Sequence, residues 1–346
     1  MATDAQIKSL MGAGPPEHLE KLSLFRWGKK NPPKDPKISF AGKTILVTGS
    51  NTGLGYGAAL KFAALGASKL ILAVRTPAKG EEAKRKIVQA TKYDAANIIV
   101  MQLDMASYDS VRAFVRDLRV KTSTLDVALL NAGIAPPKYT ANPTTGWESA
   151  LQTNIISTAL LAILIIPQLK HTAVKTGRPS QLTLTSSYGH KYVAAKDVQT
   201  APGESLLKKL SAPEYFNPEK CYNAIKLMTE YVKLGLVNNY SKNAKGEVDV
   251  TINSTCPGYC TTDLGREFPW YIALPIKVMQ MYCGRSAEEG SRSLISATLL
   301  EKVGHGKFWT NDVFVEGGDL VTSDEGKKIQ AQAWKEILDI CKNESP

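Results

Sequence analysis

The sequence predicts a doubly wound α/β fold, with a seven-stranded parallel sheet covered by helices on both faces. From residue 43 onward, short apolar runs alternate with helical stretches. The strand-like runs are continuously apolar, as in strands that are covered on both faces. A glycine-rich turn separates the first run from the first helix. These three observations indicate one domain built from parallel strands with helical crossovers.

The individual elements follow in chain order. The predicted strands are 43–48, 69–74, 97–103, 126–130, 181–185 and 248–253, and a seventh begins at 307–310. The predicted helices are 54–66, 79–92, 107–120, 147–172 and 219–240. Two inserts, 189–218 and 263–290, follow the fifth and sixth strands. In such folds ligands bind at the carboxyl ends of the strands, so both inserts are expected near a ligand.

Residues 1–40 are predicted to form an N-terminal extension, and residues 41–346 the α/β domain. The extension is rich in Pro, Lys and Gly, and residues 31–36 resemble a stiff linker. One short helix is expected at about 16–24. The sequence leaves open whether the extension is a disordered leader or a strap across the domain.

The charge and the cysteines exclude several classes of protein. The formal net charge of +11 comes from dispersed basic residues, without a zinc finger, a basic zipper or an RNA-binding aromatic motif. Nucleic acid is therefore not an expected partner, whereas an anionic small ligand is. The five cysteines lack metal-ligand spacing, so no metal is expected and the thiols are expected to be reduced, as in a cytoplasmic protein.

No segment of the sequence is predicted to be a secretory signal or to span a membrane. The first 25 residues contain two prolines and several charges. The longest apolar run, 159–166, ends at Pro167 and is shorter than the roughly 20 residues of a membrane span. We interpret it as part of a buried helix.

The glycine-rich turn, Thr48-Gly-Ser-Asn-Thr-Gly-Leu-Gly55, predicts a dinucleotide site. Gly49 permits a tight turn, and Gly53 and Gly55 let the backbone approach a pyrophosphate. The N-terminus of the following helix then offers free N–H groups to the phosphates. Arg75 follows the second strand, where an acidic residue would bind the ribose 2′-hydroxyl of NAD. A guanidinium there favours the 2′-phosphate of NADP(H).

Two Tyr-x-x-x-Lys stretches are candidates for proton transfer. Residues four apart share one face of a helix, so either Tyr192 with Lys196 or Tyr222 with Lys226 could act as a pair. The first pair follows the fifth strand too closely and no apolar period continues after it. Tyr222 instead opens a strongly periodic helix that can hold its first turn rigidly. We choose Tyr222 and Lys226, and we expect the ammonium to lower the pKa of the phenol.

Two further residues are candidates for the chemistry. Ser187, at the end of the fifth strand, is placed to hydrogen-bond a carbonyl or alcohol, and the neighbouring Ser186 points the other way. Asn154 could fix a water that relays protons to Lys226, or it could form a hydrogen bond between helices. The sequence leaves both readings of Asn154 open.

Together these motifs resemble the classical short-chain dehydrogenase/reductase family, from about Gly42 to Leu338, and imply a Rossmann fold. The resemblance implies a catalytic set of Asn154, Ser187, Tyr222 and Lys226. It implies that Asp104 meets adenine, that the segment 131–133 borders the nicotinamide ribose, and that 257–262 contacts the carboxamide. The implied cofactor contacts are Gly49, Ser50, Asn51, Gly53, Leu54, Gly55, Arg75, Asp104, Asn131, Ala132, Gly133, Tyr222, Lys226, Pro257, Gly258, Cys260 and Thr262.

The stretches 72–83 and 320–334 are similar to retinol-dehydrogenase-like enzymes and to fungal reductases of secondary metabolism. This resemblance implies an NADPH-dependent ketoreductase acting on an apolar, polyketide-like small molecule. A retinol- or steroid-type alcohol dehydrogenase and a catalytically silent NADP-binding protein are the alternatives. The apolar insert 263–290 is expected to be a substrate lid, although it could instead pack on the domain or form a subunit contact. Helices 147–172 and 219–240 could form a homodimer, as such helices often do in the family.

Overall fold

One mixed sheet forms the centre of the computed structural model, which describes residues 3–16, 19–262, 264 and 268–344. Its strands lie in the order β3-β2-β1-β4-β5-β6-β7-β8. Their bounds are β1 Thr44–Thr48, β2 Lys69–Val74, β3 Ile98–Gln102, β4 Val127–Leu130, β5 Ser180–Thr185, β6 Val250–Cys256, β7 Phe308–Thr310 and β8 Val313–Val315. Strands β1 to β7 are parallel, as the sequence predicts.

The eighth strand is a correction to the predicted seven. It pairs antiparallel with β7, with Phe308 opposite Val315 and Thr310 opposite Val313. The two intervening residues, Asn311 and Asp312, both have positive φ, of 49° and 61°. A two-residue turn of this kind joins hairpin strands, and Asn and Asp tolerate it best after glycine. The dipeptide Asn311-Asp312 between two apolar runs therefore indicates a β-hairpin, which the sequence-based prediction did not include.

Helices cover both faces of the sheet. The main ones are α3 Gly53–Ala64, α4 Pro77–Thr91, α5 Tyr108–Lys121, α7 Ser157–Thr176, α10 Pro218–Tyr240, α12 Ala287–Ala297 and α14 Asp324–Asn343. The other helices are α1 Asp4–Leu10, α2 Lys21–Lys30, α6 Ser149–Leu151, α8 Ala195–Val198, α9 Leu206–Ser211, α11 Trp270–Cys283 and α13 Asp319–Thr322. Because side chains alternate along a strand, Leu46 belongs to the core cluster that includes α5, α7, α10 and α14, whereas Ile45 and Val47 belong to the cluster that includes α3, α4 and α12.

The apolar helix in the middle of the chain lies inside the protein. Helical structure is continuous from Ser149 to Thr176, with a π-helical turn at Gln152–Ile156 between α6 and α7. By length and composition this segment could cross a membrane, yet 78% of its most apolar window is buried within the protein. The helix is therefore a core element between the sheet and its neighbours, as the sequence predicts for residues 159–166.

The N-terminal extension packs on the domain, so its described residues form a strap. The expected helix at 16–24 is misplaced, because the structure has α1 at Asp4–Leu10 and α2 at Lys21–Lys30. Ile7 and Leu10 of α1 are buried in the core cluster on the α3 and α12 face. The backbone N–H of Lys34 donates to Oδ2 of Asp312 at 2.7 Å, which ties the linker to the β7–β8 turn.

Candidate active site

A cleft of about 500 Å³ opens at the carboxyl ends of the central strands. Strand β1 has β2 on one side and β4 on the other, so the chain reverses direction across the sheet at this point. Crevices at such a reversal are the usual ligand sites of doubly wound folds. The predicted residues that line the cleft are Gly49, Asn51, Gly53, Leu54, Arg75, Asp104, Asn131, Ala132, Gly133, Asn154, Tyr222, Lys226, Pro257 and Thr262.

The glycine-rich turn has the shape that an extended phosphate group needs. Gly49 and Gly53 have φ of 66° and 55°, a left-handed conformation that favours glycine. A Cβ on Gly55 would lie 2.2 Å from the carbonyl oxygen of Gly49 and 2.6 Å from Nδ2 of Asn131. Helix α3 therefore begins directly beneath the turn, and its first N–H groups face the cleft without partners inside the helix.

Ser50 lies within this turn but does not line the cleft. Its side chain is fully buried, and its hydroxyl has no hydrogen-bond partner among the described residues. The left-handed glycines of the turn and the free N-terminus of α3 fit the phosphate groups of a dinucleotide, whereas the Ser50 hydroxyl is buried away from the cleft. Gly55 likewise supports the turn from below and does not contact the cleft.

Two cations stand at the end of the cleft beyond β2. Arg75 and Lys79 both line it and both are exposed. Lys79 lies in the first turn of α4, where a free anion is also favoured by the helix N-terminus. Sequence reasoning identified Arg75 and missed Lys79. The sequence does contain a signal for Lys79. This lysine is four residues after Arg75 and lies in the first turn of the helix that starts at Pro77, so both side chains can reach the same end of the cleft.

The segment after β4 is held against β1. The hydroxyl of Thr48 accepts hydrogen bonds from the backbone N–H groups of Asn131 and Ala132, each at 2.9 Å. Nδ2 of Asn131 donates to the carbonyl of Thr48 at 3.1 Å. This cross-link aligns one wall of the cleft with the glycine-rich turn. It agrees with the predicted steadying role of the segment 131–133.

Tyr222 and Lys226 lie on the opposite wall, in the second and third turns of α10. Asn217 caps this helix by accepting from the N–H groups of Glu219 and Lys220, and Pro218 occupies its first position. The Lys226 ammonium is 5.6 Å from the centroid of the Tyr222 ring and donates to the carbonyl of Thr185 at 3.2 Å. The alternative Tyr192 is outside the cleft, with its ring under the ammonium of Lys21.

The pKa values of this pair correct one expectation. Burial raises the pKa of Tyr222 to about 12, although the Ser187 hydroxyl acts to lower it. Burial lowers the pKa of Lys226 to about 8, against the opposing effects of Cys256 and Glu230. The sequence-based expectation that Lys226 lowers the pKa of Tyr222 is thus wrong for the chain by itself. Desolvation is the largest cause of the pKa shift of both groups.

The two serines after β5 point in different directions. The Ser187 hydroxyl accepts from the N–H of Gly189 at 3.1 Å and lies against Tyr222. A Cβ on Gly189 would lie only 2.7 Å from Oδ1 of Asn223, so the turn after β5 has no room for a larger residue at this position. The Ser186 hydroxyl is buried and faces Glu230 instead. Ser187 is therefore the serine beside the phenol, although Ser186 and not Ser187 is among the residues that line the cleft.

A buried charged network lies behind Lys226. Glu230, one helical turn further along α10, accepts from the Lys233 ammonium at 2.7 Å and from the Ser254 hydroxyl at 3.0 Å. Burial alone would raise the pKa of Glu230, but Lys233 and His190 hold it below its usual value. Nδ1 of His190 lies 2.7 Å from the carbonyl oxygen of Ser187. Sequence reasoning missed this network, because a Glu–Lys pair three apart on a helix usually signals a solvated face.

Asn154 has a structural task in the described protein. It sits in the π-helical turn, a distortion that is frequent at functional sites. Its Oδ1 accepts from the N–H of Ile134 at 2.9 Å, and its Nδ2 donates to the carbonyl of Ile134 at 2.8 Å. Both ends of the amide thus hold the loop after β4. This bonding differs from both alternatives that the sequence left open, because the partner is loop backbone.

The loop after β6 is held by a buried arginine. Arg285 donates to the carbonyls of Pro257, Gly28 and Asn31 at 3.2, 2.7 and 3.1 Å. It therefore joins the N-terminal strap to the loop that ends at Thr262. The Cys260 thiol packs toward Gly290 and its burial raises its pKa to about 12. Neither Cys260 nor Gly258 lines the cleft, so a contact from either residue would have to use backbone atoms.

Comparison with known proteins identifies the family. The family model for short chain dehydrogenase matches residues 43–200. The short-chain dehydrogenase/reductase ffsI of Aspergillus flavipes is 46% identical over 325 residues, which cover 94% of this chain and 93% of that protein. The chain belongs to the short-chain dehydrogenase/reductase family. A second member, phmF of Phaeosphaeria nodorum, is 43% identical over 93% of each chain.

Solved structures of this family share the fold. A 3-ketoacyl-(acyl-carrier-protein) reductase from Brucella melitensis, complexed with NADH, has a TM-score of 0.56 at 20% identity. It covers 79% of this chain and 97% of its own. The RhlG/NADP complex of Pseudomonas aeruginosa also has a TM-score of 0.56, at 18% identity over 80% and 97% of the two chains. Family membership makes the protein an oxidoreductase of the short-chain type, and these structures show its Rossmann-like α/β fold.

The predicted lid of this dehydrogenase/reductase lies partly outside the described residues, at 263 and 265–267. Of its described residues, only Leu264 lines the cleft. Helix α11 presents its apolar side chains to solvent. Closure of this segment over a substrate stays a prediction.

Proposed function

We propose that this short-chain dehydrogenase/reductase is an NADPH-dependent ketoreductase for an apolar carbonyl compound. The observation that carries the proposal is one continuous cleft. Its far end has the glycine-rich turn with Arg75 and Lys79, and its near end has Tyr222 with Lys226. A dinucleotide laid along the cleft would thus have its 2′-phosphate beside the two cations, its central pyrophosphate against the turn and its reactive ring near the phenol.

The residues of the cleft fit NADP(H) as follows. The turn 49–55 and the N-terminus of α3 would hold the pyrophosphate. Arg75 and Lys79 would hold the 2′-phosphate, Asp104 would contact adenine, and the segment 131–133 would contact the ribose beside the nicotinamide. The bound cofactor supplies the hydride for a carbonyl carbon. Relatives of known structure carry NADH or NADP, so the choice of NADP(H) rests on the two cations.

The chain's own residues would perform the proton chemistry. Ser187 would donate a hydrogen bond to the substrate carbonyl and polarise it. Tyr222 would then give its proton to the developing alkoxide, since its raised pKa keeps the phenol protonated at neutral pH. Lys226, protonated below pH of about 8, would stabilise the resulting phenolate and bind the ribose. Asn154 would position the wall of the cleft through Ile134.

The substrate side of the cleft supports an apolar compound. Ile134, Ala135, Pro136 and Leu264 line the cleft beyond the catalytic pair. Such a wall holds a hydrophobic ring system by burial and leaves orientation to a few polar groups. The fungal relatives ffsI and phmF are similar over nearly their whole length, and we extend the proposal to a role in fungal secondary metabolism.

The direct test follows NADPH absorbance with a panel of quinones, aromatic ketones and retinal. The wild type is expected to oxidise NADPH, and Tyr222→Phe is expected to lose at least about 100-fold in kcat, as befits loss of a general acid. Tyr192→Phe is the matched control and should keep full activity. If Tyr192→Phe loses activity and Tyr222→Phe keeps it, the proposed site is wrong. Binding of NADPH without any turnover would favour the catalytically silent alternative.

Cofactor preference has its own test. Arg75→Ala and Lys79→Ala are each expected to raise KM for NADPH by about tenfold to 100-fold, the worth of a charge-assisted hydrogen bond. KM for NADH should hardly change, because NADH lacks the 2′-phosphate. If the variants raise KM equally for both cofactors, Arg75 and Lys79 do not bind the 2′-phosphate and that part of the proposal is wrong.

A further inference from the structure

Helix α11 carries a broad apolar face that no other described element covers. Trp270 and Met281 are 78% and 77% exposed, and Tyr271, Leu274 and Val278 are exposed as well. Soluble proteins rarely leave such a contiguous patch in water unless it binds something.

The periodicity of α11 shows which face is free. Ala273, Ile276, Gln280 and Cys283 are the residues partly or fully covered by the protein, at spacings of three and four. The opposite face therefore carries Trp270, Tyr271, Leu274, Val278, Met281 and Tyr282. The only charged residue of this helix is Lys277. Helix α11 is thus inverted relative to a surface helix, because its outward face is more apolar than its inward face.

Cations border this face on the neighbouring helix α2. The Arg26 guanidinium lies 4.8 Å from the centroid of the Tyr282 ring, and the Lys29 ammonium donates to the carbonyl of Met281. Lys30, at the end of α2, is exposed. Among the ion pairs of the described residues, none joins a carboxylate to Arg26, Lys29 or Lys30. An apolar, aromatic surface is thus bordered by positive charge that this part of the chain does not neutralise.

We propose that the face formed by α2 and α11 docks on an anionic lipid surface. Exposed Trp and Tyr are suited to the boundary between headgroups and acyl chains, and Lys and Arg are attracted to anionic headgroups. A second copy of the chain is a poorer occupant. In a twofold contact the cations of one copy would face those of the other, and that repulsion would have no compensation.

Docking would place the cleft beside the lipid. Leu264 lines the cleft and lies six residues before Trp270 in the sequence. An apolar compound dissolved in the lipid would then reach the cleft without crossing water. This consequence depends on the proposed function, whereas the docking itself does not.

The test is co-sedimentation of the full chain with phosphatidylcholine vesicles that contain or lack phosphatidylserine. The wild type should bind the anionic vesicles, and salt should weaken the binding. Trp270→Ser with Met281→Ser should lower the partition coefficient at least about tenfold, from lost burial of two side chains. Arg26→Gln with Lys30→Gln should lower the partition coefficient roughly 25-fold, at about fivefold for each charge.

Matched controls exist elsewhere on the surface. Val120 and Val174 are 82% and 80% exposed, so Val120→Ser with Val174→Ser removes apolar surface without touching the docking face. Lys121→Gln with Lys175→Gln does the same for charge. Both controls should bind as the wild type does. Far-ultraviolet circular dichroism and NADPH binding should be unchanged in every variant. A loss of vesicle binding then cannot be caused by misfolding or by damage to the cleft.

Three outcomes would overturn the proposal. The first is absence of binding to anionic vesicles, and the second is equal loss of binding in the control variants. The third is a wild-type dimer, seen by light scattering, that Trp270→Ser with Met281→Ser converts to a monomer. That result would make a second copy the occupant of the face.

Discussion

Replacement of Glu230 by glutamine is expected to lower the pKa of Lys226. The ammonium is held in a site whose burial brings its pKa down to about 8, and Glu230 is one of the groups that oppose this effect. The shift from the usual value of 10.5 corresponds to about 3 kcal/mol against the charged form. Lys226 is therefore sensitive to any neighbouring charge.

The expected size follows from helix geometry. Side chains four residues apart on a helix lie about 6 Å apart at Cβ. A unit charge pair at that distance interacts by about 3 kcal/mol at an effective dielectric constant of about 20, or about two pKa units. The Glu230 carboxylate turns toward Lys233 and Ser254, so the separation is larger and the effect smaller. We expect Glu230→Gln to move the pKa of Lys226 from about 8 to between about 6 and 7.

The assay is the pH dependence of kcat/KM for NADPH, which reports groups of the free enzyme. A lysine with a depressed pKa is charged below that pKa and loses its proton as pH rises through it. The wild-type rate constant should thus fall above pH of about 8, while Tyr222, with a pKa of about 12, stays protonated throughout. In Glu230→Gln the fall should begin one to two units lower.

The control addresses stability. Glu230→Gln leaves the buried Lys233 ammonium unpaired, which costs about 3–5 kcal/mol when one partner of a buried pair is lost. The double variant Glu230→Gln with Lys233→Met removes both charges, so it should be more stable than Glu230→Gln. The pH at which its kcat/KM begins to fall should also differ less from that of the wild type. A titration of lysine ε-carbon NMR signals gives the pKa of Lys226 without any substrate. If Glu230→Gln changes neither the pH at which kcat/KM falls nor the pKa of Lys226 measured by NMR, this reasoning is refuted.

Three further predictions concern packing. Gly55→Ala should weaken NADPH binding at least about tenfold, because the added Cβ would lie 2.2 Å from the Gly49 carbonyl oxygen and would displace the turn. Isothermal titration calorimetry measures this affinity, and an unaltered affinity would contradict the prediction. Arg285→Met should lower the free energy of unfolding by about 3 kcal/mol, since buried carbonyls lose their donor. The comparison variant Arg292→Met, which breaks a surface pair with Glu288, should cost less than about 1 kcal/mol in the same urea titration. Gly235→Ala should destabilise by about 1–3 kcal/mol despite its better helix propensity, because the added Cβ would lie 2.1 Å from Trp334; a raised melting temperature would show that α14 can move away.

Local patterns in the sequence were sufficient for the parallel strands, the glycine-rich turn and the choice between the two Tyr–Lys pairs. The continuously apolar runs reported burial on both faces, and the periodic residues after Tyr222 reported a packed helix. Both patterns lie within a single strand or helix, so they can be recognised in the sequence without knowledge of the fold. The same holds for Arg75, which directly follows its strand.

Only the tertiary structure decided how distant segments act on the site. The strap reaches the loop at Pro257 through Arg285, 257 residues from Gly28, and Glu230 is buried behind Lys226 because β6 and the segment after β5 close over it. The pKa of Tyr222 moved opposite to expectation for the same reason, since desolvation depends on everything that surrounds a group. Sequence spacing reports which residues are neighbours along a helix, whereas burial and long-range contacts are properties of the whole packed chain.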